Sequence, residues 1–159
     1  MTLALLEAAV DALHTYLKAN IEAKVADLNI RYQNTTLPGA QLADIKKWYL
    51  GNMTINVPDY PAVIIAGAGW APKVQRAVSL HVVNDISLIV LVGQDDIEVR
   101  FRHLCRYALG LIELCRAGED SMGYHVNYLG KVTLTDTLET QPFIQGVIIP
   151  VTMEQIETF

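Results

Sequence analysis

Charge is scarce in this sequence. Charged residues make up 18% of its 159 positions and hydrophobic residues 52%, which is greasier than an ordinary soluble domain. Basic residues are not in excess: 12 Lys and Arg stand against 17 Asp and Glu, for a formal charge of −5. A high-affinity grip on nucleic acid needs clustered Lys and Arg, so the composition argues against that class. Cysteine is nearly absent. Cys105 and Cys115 are ten residues apart on one expected helix, about 15 Å along its axis, too far for a disulfide within it. They read as small core hydrophobes of a protein made in a reducing cytosol. No run reaches the roughly 18 apolar residues of a membrane span. The start, Met1 to Tyr16, is apolar but carries Glu7 and Asp11 and no basic segment, so no signal peptide is expected. Without secretion, the acceptor-like triplets Asn34-Thr35-Thr36 and Asn52-Met53-Thr54 carry no weight.

What charge there is lies unevenly. Residues 1–116 hold 11 basic and 11 acidic residues. Residues 117–159 hold only Lys131 against Glu119, Asp120, Asp136, Glu139, Glu154 and Glu157. An acidic last third repels nucleic acid and permits it to slide past. The length fits one domain, residues 1–159, able to bury a core without staples. The excess of apolar residues over what one core needs points to surface covered by partner subunits.

Periodicity gives the elements. Leu3, Leu6, Val10, Leu13, Leu17, Ile21, Val25 and Leu28 recur at helical steps, predicting an amphipathic helix from Leu3 to Leu28 with Thr2 as N-cap. A long connection follows, Asn29 to Asp59, with turn signals at Asn34-Thr35-Thr36, Pro38-Gly39 and Val57-Pro58. A short helical turn fits Leu42 to Tyr49. Trp48 and Tyr49 argue against disorder there; they suit either a contact surface or a lid folded over the core. Ala62 to Ala66 reads as a strand, closed by a turn at Gly67-Ala68-Gly69. From Arg76 to Val92 the even positions are apolar except Asn84. Asn84-Asp85 is then either a hairpin tip or a bend in one long strand, and unbroken parity favours the long strand. Such a strand projects beyond a small domain and suits pairing with a neighbour.

Ile97, Phe101, Leu104, Cys105, Ala108, Leu111, Ile112 and Cys115 form one helical stripe. Asp95 is its expected N-cap, with Glu98 in capping-box position, and Gly118 its stop. Arg100, Arg102 and Arg106 lie off that stripe and read as a solvated or inter-subunit face. Tyr124 to Leu134 and Phe143 to Met153 alternate as two strands. Pro150 marks the last one as an edge strand. The expected fold is α+β, a largely antiparallel sheet of about four strands with two main helices packed on one face, plus the long loop of the N-terminal half.

Motifs for chemistry are missing. Gly67-Ala68-Gly69 follows a strand, but Pro72 stands where a third glycine belongs and a strand comes next, so the dinucleotide fingerprint fails. Trp70 on that turn is a core lid or an interface anchor. His14, His81, His103 and His125 lie on four different elements, with no metal-ligand spacing and no CxxC. No serine sits in a GxSxG elbow. Asp95-Asp96 is better read as a helix cap than as a catalytic pair. No catalytic residue, cofactor or metal is therefore expected.

One layout emerges. An N-terminal helix precedes Asp59-Tyr60-Pro61-Ala62-Val63-Ile64-Ile65. The long strand Arg76 to Val92 runs straight into the helix from Asp95 to Cys115, and the chain ends in the strand Phe143 to Met153 followed by Glu154 and Glu157. Over nearly its whole length this resembles the tail-terminator or tail-completion family, small neck proteins of tailed bacteriophages.

The resemblance implies a structural virion protein, not an enzyme. It would form a homohexameric ring that caps the tail tube and joins it to the head-side connector or head-closure protein. DNA would pass through an acidic lumen without specific binding, and no membrane would be involved. Such a protein is made and assembled in the host cytoplasm and ends in the virion neck. The candidate interface residues are Trp48, Tyr49, Trp70, Arg100, Arg102 and Arg106; the candidate lumen acids are Glu139, Glu154 and Glu157. Two alternatives stand beside it: another neck or tail adaptor, for head closure or tube initiation, and a small-molecule-binding or enzymatic domain with a site near Gly67 to Trp70 or around His81.

Overall fold

The apolar stripe of the first helix is buried along its length. Val10, Leu13, Leu17, Ile21, Val25 and Leu28 all face the core from α1 (Leu6–Arg31). A computed structural model of the chain describes residues 6–33, 41–51, 59–76, 79–128, 131–137 and 141–158, with the side chains at 72–76, 79–80, 128 and 156–158 outside that description. The expectations at Thr2 and Leu3, at the turn signals of 34–39 and 57–58, at the triplet 52–54 and at Glu139 lie outside the described residues.

The sheet is mixed and has six strands. They are β1 (Lys47–Leu50), β2 (Ala62–Arg76), β3 (Ser79–Gly93), β4 (His125–Tyr128), β5 (Thr133–Leu134) and β6 (Ile144–Thr158). Their order is β1-β2-β3-β6-β4, with β5 also on β6. All pairs are antiparallel except β1 with β2. The fold class is thus α+β, with more strands than expected and one parallel pair. Two strands are extra: the stretch expected as one strand from Tyr124 to Leu134 holds both β4 and β5, and β1 stands where the sequence suggests a helical turn. Its Trp48 faces the core side beside Val63, and Tyr49 faces the other way beside Ile64, a two-residue alternation too short to show as periodicity.

Two helices cover one face. α2 (Ile97–Ala117) lies antiparallel to α1, and a single turn, α3 (Glu119–Met122), follows it. Val63 and Ile65 of β2, Ile86, Leu88 and Val90 of β3, and Val147, Ile149, Val151 and Met153 of β6 make the floor of the core. Leu104, Tyr107, Ala108, Leu111 and Cys115 of α2 meet it from above. The approach of the helices is close: Gly110 sits where a Cβ would come within 2.7 Å of Leu28, and Gly118 lies against the ring of Tyr16.

Asn84-Asp85 is no hairpin tip. β3 is one continuous strand paired through Asn84 with Trp70 and Met153. Its even positions Val82, Asn84, Ile86, Leu88, Val90 and Val92 are all buried, as the alternation predicts. Gly67-Ala68-Gly69 is likewise not a turn. β2 runs through it with a one-residue register shift between Gly67 and Gly69, a bulge. Glycine in an apolar run signals either, and here the bulge keeps both strands paired.

Pro150 is not on an edge strand. β6 is flanked by β3 on one side and by β4 and β5 on the other. Gly146 exchanges hydrogen bonds with Thr135, so even positions of β6 direct their N–H away from β3. β5 pairs with 147–148 and β4 with 151–154. Among the described residues, no strand partner stands opposite Pro150 on the side away from β3; it lies between the spans of β6 that β4 and β5 pair with.

β2, β3 and β6 have 15 residues each, or about 50 Å of extended chain. Leu6, the first described residue of α1, lies against Gly67. The strand ends beyond that level, 70–76 of β2, 79–82 of β3 and 155–158 of β6, run on past the start of α1 as a three-stranded arm.

Candidate functional site

The three arginines expected on one face part ways. α2 is capped by Asp96, one residue later than expected, whose carboxylate accepts from the N–H groups of Glu98 (2.9 Å) and Val99 (3.0 Å). That phase takes Glu98 out of a capping box, and it accepts instead from Arg102 one turn on (3.2 Å). Arg100, by contrast, turns inward and is 5% exposed. Its Nη1 donates to the carbonyls of Gln94 (2.9 Å) and Pro142 (3.1 Å), and its Nε to Gln145 Oε1 (3.3 Å). Arg100 clamps the start of α2 to the start of β6 and is withdrawn from the solvated face on which it was expected. Arg106 is also buried, its guanidinium stacked 4.7 Å from the ring centre of Tyr32. Of the three, Arg102 alone keeps a partly accessible side chain.

The aromatic candidates divide too. Trp48 lies against the core, its ring 5.7 Å from that of His14. Of the two roles open to it, lid and contact, it fills the lid. Tyr49 is half-buried on the face away from the helices. Trp70, on the arm, is 52% exposed. Of the acids expected to face a lumen, Glu154 is occupied by His81 (Nε2 to Oε2, 3.1 Å), and the side chain of Glu157 is outside the described residues.

What the stripe concealed is a second apolar side of α2. Leu104, Ala108, Leu111 and Cys115 are buried, but Ile97, Phe101 and Cys105 are exposed. The expectation of a core position for Cys105 is thereby corrected. Ile97, Phe101, Cys105 and half-buried Leu109 stand at four-residue steps, an outward stripe. Phe101, Arg102, Cys105, Arg106 and Leu109 line a groove of about 340 Å³ together with Tyr32 from the end of α1. Arg102 Nε, at its wall, is buried without a hydrogen-bond partner among the described residues. Cys115, at the core, has its thiol pushed up to about 12 by burial.

Among the described residues no three His, Cys, Asp or Glu side chains gather as a metal site. No helix among them is long and apolar enough to cross a membrane. The larger groove between α1 and α3, about 490 Å³, carries Asp11 as its one ionisable carboxylate beside Thr15, Tyr16, Asn20 and Ser121. A third hollow, at Gly93, Gln94, Asp95 and Phe143, is lined by a turn and an exposed ring. His125 and Glu119 pair at 3.1 Å on the surface. No family model and no curated protein matches the sequence.

Proposed function

We propose that this chain is a structural virion component of the tail-terminator type, a ring of identical subunits that caps a phage tail tube and meets the head-side connector. The observation that carries the reading is the distribution of uncovered apolar side chains. Leu50 lies on the β1 edge, Trp70 on the arm, Ile97 and Phe101 on the outer side of α2, and Leu134 and Phe143 near β6. They are different patches on different sides. A cyclic ring uses such heterologous contacts, in which two unlike patches of each subunit meet. The layout on which the resemblance rests supports the same reading: β3 runs into α2 across only three residues, and three long strands extend past the described start of α1.

The arginine clamp and the aromatic lid change which residues serve that role. Arg102 and Trp70 remain as surface candidates, while Arg100, Arg106 and Trp48 hold the subunit together. For the lumen, Glu139 and Glu157 are the acids to test, with Glu154 already bonded to His81. Replacing Glu139 and Glu157 by Lys is expected to leave the circular dichroism spectrum unchanged and to make assembled particles retain DNA at low salt. Unchanged DNA retention would remove both residues from the channel wall.

The reading as a whole is tested by electron microscopy of negatively stained protein with and without purified tail tubes. Annular particles, or a cap on tube ends, are expected; bare tube ends beside excess protein would count against it. Parallel pull-downs against tubes and against portal-bearing heads separate a terminator from a head-closure adaptor.

A further inference from the structure

We draw no further inference here: the strongest candidate, the apolar groove that Tyr32, Phe101, Cys105 and Leu109 line along the outer side of α2, is an unpartnered helix face, and nothing in the structure shows what covers it.

Discussion

Arg100 holds two main-chain carbonyls and one side-chain amide at once, and it does so from inside the protein. Removing a donor strands its acceptors, and each buried acceptor left unmet costs about 1–3 kcal/mol. Arg100→Met is therefore expected to lower stability by about 2–4 kcal/mol, read as a shift of the urea midpoint at constant slope. A loss below about 0.5 kcal/mol would mean that water replaces the clamp, as at an ordinary surface arginine. Gly118 carries a different kind of constraint. A methyl group there meets the ring of Tyr16, and overpacking of this kind costs about 1–3 kcal/mol. Gly118→Ala is expected to fall in that range. Tyr16→Ala in the same chain should recover part of the loss, since it removes the obstacle; additive losses would place the strain elsewhere. Neither residue betrays its role in the sequence. Arg100 has the spacing of its neighbours Arg102 and Arg106, and nothing local says that it alone clamps two segments from within.

At the scale of elements, α1 and α2 are tied at one end by charge. Glu113 accepts from Arg31 (2.8 Å) and Lys24 (3.1 Å), and Asp27 joins through Arg31 (2.7 Å). Arg31 and then Lys24 hold the Glu113 carboxyl down at about 2, below its ordinary 4.5. A depressed carboxyl stabilises the fold above its unfolded value and loses that contribution as pH falls through the folded one. The clasp is thus fully present above about pH 5 and fades toward pH 2. Glu113→Gln is expected to melt a few degrees, about 2–4 °C, below the parent at pH 7 in low salt. That gap should close by pH 2. A gap that persists at pH 2 would assign the effect to packing. The helices and β3 were legible because their stripes are long enough for the period to show. β1 was not, because four residues at an edge carry a single alternation. The bulge at Gly67 and the gap at Pro150 were hidden for another reason: each residue type signals several structures, and only the neighbouring strands decide. The outer stripe of α2 was counted into the core because a wide apolar stripe reads the same whether one or both of its margins are covered.

One sheet face is roofed by helices, three strands run on past the described start of α1, and exposed apolar side chains sit on several elements. The residue order did not show that Arg100 and Arg106 are withdrawn from the surface of α2. Trp70→Ala is expected to change the melting temperature by less than about 2 °C, because the ring is half exposed and its loss empties no core. Any larger effect on assembly than on melting would place Trp70 at a contact. Self-association through unlike surfaces is the claim on which the rest turns. Light scattering on the purified parent chain over a hundredfold range of concentration, repeated with tail tubes, measures it directly. A discrete closed oligomer that forms alone or on the tube ends is the expected result. A monomer at every concentration, with and without tubes, would contradict it.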